Sequence, residues 1–234
     1  MNRIIYHLTA FLVVALWGTT FVYTKLLLMA GLTAAQIFVL RFIIAYVMLL
    51  AYSLPKKSFR LFASSWKDEL LMAALGVIVM VLNGHFVLHL SPLGDTLAFM
   101  ACLCWAFYSL LMIPANQRYR TLFITRKVFF YGLVFMIPYF MIWPGMPPLS
   151  VLMRPDVMGN LLFLGCIASM VCFLAWNWAM KKVGEVAVTN YVYFNPVTTV
   201  LFAWMVLSER ITLYFIIGTV LILAGMYLCN KAEG

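Results

Sequence analysis

The chain has 234 residues, of which 66% are hydrophobic and 10% are charged, and its mean hydropathy is +1.03. A soluble domain is about 45–50% apolar and about 25% charged. This composition therefore excludes a soluble globular fold, because too much apolar surface would face water. The net charge of +9 does not indicate a nucleic-acid partner, because Lys and Arg occupy the connections between apolar stretches and do not form one basic face.

Eight apolar stretches are long enough to cross a bilayer. They are uniformly apolar and lack the alternation of barrel strands, which favours helices. The predicted fold class is therefore an all-α polytopic membrane protein with about eight transmembrane helices. Asp95 is placed to cap the fourth helix. The predicted spans are residues 8–28, 34–54, 69–90, 95–113, 127–143, 158–180, 186–207 and 212–230.

The positive charges are distributed unevenly between the two sides of the predicted bundle. With the N-terminus in the cytoplasm, twelve Lys and Arg fall in inner segments, among them Arg126 and Lys127. Two, Arg154 and Arg210, fall in outer segments. This bias predicts an even number of passes with both termini cytoplasmic. We expect the chain in the cell inner membrane.

Two parts of the chain repeat one another at a near-constant offset. Trp105 follows Trp17 by 88 residues, and residues 159–165 resemble residues 70–76 at an offset of 89. Such offsets predict a duplicated unit, which many transporter folds contain. Because Gly76 matches both Gly165 and Gly218, the third helix is interpreted as a splice with about two passes absent. Residues 1–90 then form a shortened first repeat of three helices, and residues 91–234 form a complete second repeat of five.

A series of short motifs recurs in the order and spacing of one family. They are Trp17-Gly18-Thr19-Thr20-Phe21, Arg41, Leu93-Gly94-Asp95 ahead of Trp105, Asn195-Pro196, Glu209-Arg210 and the closing stretch from Gly218 to Gly225. Together they resemble the EamA-type members of the drug/metabolite transporter superfamily. The resemblance implies ten helices in two inverted five-helix repeats, cytoplasmic termini, and export or exchange of small metabolites. Against that pattern, this chain lacks the end of the third helix, all of the fourth and the start of the fifth.

Two helices carry aromatic and hydroxyl side chains at helical spacing. Trp17, Thr20 and Thr24 share one face of the first helix because they are three and four residues apart. Trp105 and Tyr108 are likewise three residues apart in the fourth helix. One interpretation is the lining of a substrate cavity. The other is helix packing, with the threonines bonded to their own helix.

Two cations lie within the first two predicted helices. Arg41 is about two turns inside its helix, so it should face protein or a watery cavity. It either contacts substrate or pairs with backbone carbonyls. Lys25 lies near a helix end and is expected to extend to the interface. Because no acidic residue lies deep in any predicted helix, these cations favour an anionic or zwitterionic substrate.

Polar side chains also gather around the seventh predicted helix. Asn177, Tyr191 and Asn195 precede Pro196, which is expected to kink the helix and to serve as a gate. Transporters place binding groups beside such interruptions. Hydrogen bonding between helices is the alternative role for the same side chains.

The sequence contains no carboxylate pair, HExxH motif or serine–histidine arrangement, so no enzymatic activity is expected. No cofactor and no metal are expected. The predicted function is an inner-membrane carrier that exports or exchanges a small metabolite, amino-acid-like or otherwise polar or amphipathic, by alternating access. The alternative is a transport-incompetent shortened paralogue that acts as a structural or partner protein. Expected partners are a small-molecule substrate, the lipid bilayer and a second copy packed through Gly218 and Gly225, but no nucleic acid.

Overall fold

The computed structural model describes residues 3–55, 62–83, 92–142, 145–208, 213 and 216–222. All regular structure in these ranges is helical, which confirms the all-α membrane fold class. The predicted number of eight passes stays a prediction. The helices are α1 (Arg3–Met29), α2 (Ala34–Ser53), α3 (Trp66–Asn83), α4 (Pro92–Arg118), α5 (Thr121–Ile142), α6 (Leu149–Leu152), α7 (Pro155–Leu162), a π-helix (Phe163–Val171), α8 (Cys172–Val183), α9 (Glu185–Thr189), a 3-10 helix (Asn190–Phe194) and α10 (Asn195–Leu207).

Four helical segments are long and apolar enough to cross a membrane: Ile4–Met29, Ala34–Ser53, Thr121–Ile142 and Pro155–Val183. They coincide with the first, second, fifth and sixth predicted spans. The last of them joins α7, the π-helix and α8 in one path. The third predicted span is helical through Asn83, and its remainder lies outside the described residues.

Local sequence explains the sharp turn between α1 and α2. Gly31 adopts a φ of 95°, which a residue with a side chain rarely takes. The hydroxyl of Thr33 then accepts the backbone N–H of Gln36, whose side chain accepts the N–H of Thr33. This capping box satisfies two N–H groups at the start of α2 and fixes where the helix begins.

One apolar core joins α1, α2, α3, α4, α5 and α8. Its largest fully buried side chains include Trp176, Tyr108, Phe42 and Phe129. The ring of Phe42 contacts that of Phe129 edge-on, with their centroids 4.7 Å apart. Within the bundle α3 packs on α4 and α5, α1 packs on α8 and α10, and α2 packs on the π-helix.

Ion pairs hold the first turn of α3 against α4 and α5. The Arg118 guanidinium donates to the Asp68 carboxylate at 2.7 Å, and Lys127 Nζ lies 2.8 Å from Glu69 Oε1. The Tyr131 hydroxyl also donates to Glu69, at 2.6 Å. Both carboxylates belong to the first turn of α3. Acceptors at a helix N-terminus are favourable there because the helix dipole is positive.

The charge count placed Arg126 and Lys127 in a connection between helices, and this prediction is wrong. The structure starts α5 at Thr121, so both residues lie on this helix and are almost fully buried. Arg126 donates to the Ser53 hydroxyl at 3.0 Å, and Lys127 has its carboxylate partner. The predicted span began at residue 127, too late for this helix, because charged side chains lower the local hydropathy even where they are paired and the helix continues.

The fourth helix begins earlier than predicted. Its first residue is Pro92, which suits a first turn because the missing proline N–H has no helical partner there. The predicted capping role of Asp95 is therefore wrong, since residue 95 is already inside the helix.

The predicted helix over 186–207 is interrupted. A single turn, α9, passes into the tighter 3-10 helix Asn190–Phe194, and α10 starts at Asn195 with Pro196 in its first turn. The expected disturbance is therefore present on the N-terminal side of Pro196. Its irregular backbone faces α1 and α4.

Candidate functional site

A cavity of about 540 Å³ opens between α1, α2, α4, α8 and the interrupted helix. Such a volume is within the usual range for small-molecule sites. Its walls are mainly apolar and aromatic, with one cation and no carboxylate among the described lining residues. The lining comprises Trp17, Thr20, Phe21, Thr24, Leu28, Ala34, Ile37, Phe38, Arg41, Ala101, Trp105, Ala106, Ser109, Phe173, Thr189, Val192, Tyr193 and Asn195.

The predicted face of α1 forms one wall of this cavity. Trp17, Thr20 and Thr24 all line it. The Thr20 hydroxyl donates to the Trp17 carbonyl at 2.7 Å, so its proton is used within α1. The Trp17 indole N–H donates to the Ala168 carbonyl of the π-helix at 3.0 Å. Trp17 thus presents its ring, and not its N–H, to the cavity.

Arg41 is the cation of the cavity wall. It is 8% exposed, and its Nε–H donates to the Ser169 hydroxyl at 2.9 Å. Its guanidinium carbon lies 5.2 Å from the centre of the Phe42 ring. A guanidinium in a cavity wall can donate charge-assisted hydrogen bonds to a carboxylate or another anionic group.

Trp105 joins the cavity to an aromatic cluster. Its ring lies 5.7 Å from Trp17 edge-on and 5.4 Å from Tyr108 in a stacked arrangement. Its indole nitrogen is buried and has no hydrogen-bond partner in the described part of the chain. An unpartnered buried N–H is costly, so a small rotation of the indole that brings it to an acceptor would be favourable.

Tyr108 and Asn177 are brought together behind the cavity wall. The Tyr108 hydroxyl donates to Asn177 Oδ1 at 3.3 Å, and Asn177 Nδ2 donates to the Thr125 hydroxyl at 3.1 Å. Both residues are fully buried and neither lines the cavity. This geometry matches the alternative of hydrogen bonds between helices, here between α4, α8 and α5.

The interrupted helix supplies further polar groups. Asn195 Oδ1 and Thr189 Oγ1 are buried at the cavity without a hydrogen-bond partner among the described residues. Tyr191 instead faces His7, with its hydroxyl 3.0 Å from His7 Nδ1. Tyr191 and Pro196 are not in the cavity lining.

Sequence reasoning missed several lining residues. Ser109 is four residues after Trp105 and Phe38 is three before Arg41, so helical spacing from the predicted residues would have found both. Thr189, at the end of α9, and Tyr193, in the 3-10 helix, also line the cavity and belong to the polar stretch before Pro196.

Comparison with known proteins matches residues 92–231 to the EamA-like transporter family. This chain belongs to that family. It is 27% identical over 160 residues to an uncharacterized transporter of Archaeoglobus fulgidus, covering 68% of this chain and 55% of that protein. It is 38% identical over 79 residues to a WAT1-related protein of Arabidopsis thaliana, covering 32% and 22%. The chain thus spans about half the length of the archaeal relative.

Family membership gives the cavity its context. The family match and the apolar helices make this chain a membrane protein of a transporter family. Membership of a transporter family also suggests that the chain is not an enzyme. Among the described residues, the cavity has a volume in the range of small-molecule sites, and three of its lining residues carry unpartnered buried polar atoms.

Proposed function

We propose that this EamA-like protein carries a small amphipathic metabolite, which it binds in the cavity between α1, α2, α4 and the interrupted helix. The supporting observation is the pairing of apolar walls with the Arg41 cation and three buried polar atoms that have no partner in the described residues. Unpartnered buried polar groups are costly, so a ligand that satisfies them gains affinity. Alternating access would expose the cavity to each side in turn.

The arrangement of these groups favours a zwitterionic, amino-acid-like solute. Arg41 suits a carboxylate, and Asn195 Oδ1 accepts a hydrogen bond from an ammonium group. Trp105 Nε1–H supplies a second donor for the carboxylate, and the aromatic walls accommodate an apolar side chain. Residues Trp17, Thr20, Thr24, Arg41, Trp105 and Asn195 are the proposed contacts, with Tyr108, Asn177 and Tyr191 supporting the wall and Pro196 beside the gate.

The charge distribution and the family match support a proposed membrane location, orientation and repeat organisation. The Lys and Arg bias favours the cell inner membrane with both termini cytoplasmic. The family match over 92–231 supports a second repeat at residues 91–234, preceded by a shortened first repeat at residues 1–90. A second copy packed against Gly218 is compatible with the open space beside that residue, where an added Cβ meets no atom within 4 Å. Gly225 lies outside the described residues.

Three ligands that share one side chain test the substrate class. L-Leucine is zwitterionic, 4-methylpentanoate lacks its ammonium group, and leucinamide lacks its carboxylate. Binding to the purified protein is measured by tryptophan fluorescence, since Trp17 and Trp105 line the cavity. We expect leucine to bind most tightly, 4-methylpentanoate less tightly, and leucinamide most weakly because it lacks the carboxylate that Arg41 binds. Arg41→Gln should weaken the two carboxylates by about tenfold or more, because a hydrogen bond to a charged group contributes about 1.5–3 kcal/mol.

The matched control is Arg154→Gln. Arg154 is exposed, pairs with Asp156 and does not line the cavity, so this variant should bind as the wild type does. Equal weak binding of all three ligands to every variant contradicts the proposal. Counterflow of labelled leucine in proteoliposomes then separates carrier from partner protein. Binding without flux would favour the transport-incompetent alternative, which the missing first-repeat helices motivate.

A further inference from the structure

The π-helix Phe163–Val171 is the one described segment of this helix type, and it adjoins the cavity. It interrupts an otherwise α-helical path from Pro155 to Val183. Wider turns of this type are rare and less favourable than α-helix, and they occur frequently at functional sites. Contacts from two cavity residues, Trp17 and Arg41, converge on it.

The contact with Arg41 is between two buried side chains. Arg41 Nε donates to Ser169 Oγ at 2.9 Å, and Ser169 is fully buried. A guanidinium group is planar, so a bond at Nε fixes the plane in which its terminal N–H groups lie. The Ser169 hydroxyl therefore restricts the direction from which Arg41 can meet an anion.

A close approach of α2 to the π-helix makes this bond possible. A Cβ added to Gly165 would lie 2.6 Å from Ile44 Cγ2 and 3.0 Å from the Arg41 carbonyl oxygen. Only glycine at 165 lets the α2 backbone come so near. One turn further along, the Ala168 carbonyl accepts the Trp17 indole N–H, so the same segment orients a second cavity residue.

We propose that Ser169 is a positioning residue that orients the Arg41 guanidinium in the cavity wall and thereby sets the preference for carboxylate-bearing ligands. The proposal rests on the function proposed above, in which Arg41 meets the anionic group. Ser169 touches Arg41 and does not line the cavity, so it acts on a ligand only through Arg41. Its loss should change discrimination between head groups more than it changes binding of the shared side chain.

The test compares affinities of the purified protein for 4-methylpentanoate and leucinamide. Ser169→Ala should reduce the ratio of the two affinities about fivefold or more. Ser169→Cys keeps nearly the same volume but offers a poor acceptor, so it should reduce the ratio even if the alanine variant folds badly. Ser169→Thr retains the hydroxyl and should keep the ratio near that of the wild type.

The chain offers a matched control in Ser53. It accepts a hydrogen bond from Arg126 at 3.0 Å, also between buried side chains, but outside the cavity. Ser53→Ala should lower thermal stability as Ser169→Ala does, without changing the ratio. If Ser169→Ala and Ser169→Cys leave the ratio unchanged while Arg41→Gln lowers it, the positioning role is wrong and the proposed function stands. If Arg41→Gln also leaves it unchanged, the proposed function itself fails.

Discussion

At the scale of single residues, Gly18 sets the distance between α1 and α10. A Cβ at this position would lie 2.7 Å from Thr198 Cβ and 2.9 Å from the Thr199 backbone nitrogen. Neither neighbour can yield without moving a helix, because one contact is to backbone. Close helix approach through small residues is a main source of stability in membranes, where burial from water contributes nothing.

We expect Gly18→Ala to destabilise the protein by roughly 1–3 kcal/mol, the usual cost of overpacking a well-filled contact. Thermal unfolding in detergent measures this. Gly159→Ala is the matched control, because an added Cβ there meets nothing within 4 Å and the residue lies exposed in α7. It should be neutral or slightly stabilising, since alanine is the better helix former. Equal unfolding temperatures for both variants would show that α1 and α10 can move apart to accommodate the added methyl group without loss of stability.

Spacing along a helix predicted part of the site at this scale. Trp17, Thr20 and Thr24 reach the same wall because helical periodicity is local and readable in sequence. Tyr108 has the same spacing from Trp105 as Thr20 has from Trp17, yet it turns to Asn177. That choice depends on the rotation of α4 against α8, which no local pattern encodes. Lys127 and Glu69, 58 residues apart, illustrate the same limit for ion pairs.

At the scale of elements, two ion pairs attach α3 to α4 and α5. The Glu69–Lys127 pair is largely buried, with side-chain exposures of 19% and 7%. The Lys127 ammonium also lies 4.8 Å from the centre of the Phe62 ring, which adds cation–π attraction. These ion pairs add to the apolar packing of α3, the helix that the sequence predicts to be a splice.

We expect Lys127→Met to destabilise the protein by about 3 kcal/mol, because it leaves the Glu69 charge buried without its cation. Unfolding in mixed micelles measures the free energy. Arg154→Ala breaks an exposed pair with Asp156, in which both side chains are more than half exposed, and should cost at most about 1 kcal/mol. The double variant Lys127→Met with Glu69→Gln should recover part of the loss. If Lys127→Met and Arg154→Ala lower the free energy of unfolding by similar amounts, the buried Glu69–Lys127 pair does not attach α3 more strongly than an exposed pair would.

The interrupted elements mark where sequence reasoning stopped. The break before Asn195 was predictable because proline removes a helical hydrogen bond. Nothing in the apolar run from Phe163 to Val171 distinguishes a π-helix from an α-helix. In the folded protein α2 contacts this segment at Gly165 and Ser169, and no local sequence pattern encodes contacts between such distant residues.

At the scale of the whole molecule, α1 and α2 supply much of the cavity wall. The groups opposite Asn195 come from α1 and α2, through Trp17, Phe38 and Arg41. Both helices belong to residues 1–90, which the sequence predicts to form a shortened first repeat. Eight passes with cytoplasmic termini remain the topology that the charge bias favours.

Labelling of single cysteines with a membrane-impermeant maleimide tests this topology, after the five native cysteines are replaced. Ser64→Cys, between α2 and α3, should react from the cytoplasmic side alone. Met146→Cys, between α5 and α6, should react from the outer side alone. Both positions are exposed, so the reagent reaches them in the folded protein. Reaction of both from one side would overturn the predicted orientation of the intervening helices.

The packing of α1 on the 3-10 helix Asn190–Phe194 also has a consequence for synthesis. His7 and Tyr191 are 184 residues apart, so α1 enters the membrane long before its neighbour leaves the ribosome. At 5–20 residues per second the delay is roughly 10–40 s. The hydroxyls of Thr19 and Thr20 are satisfied during this interval, because they donate to carbonyl groups of α1 itself. The Trp17 indole N–H has no such partner until the π-helix is made, so a nascent chain halted before Ala168 should expose that group to lipid or to an insertase.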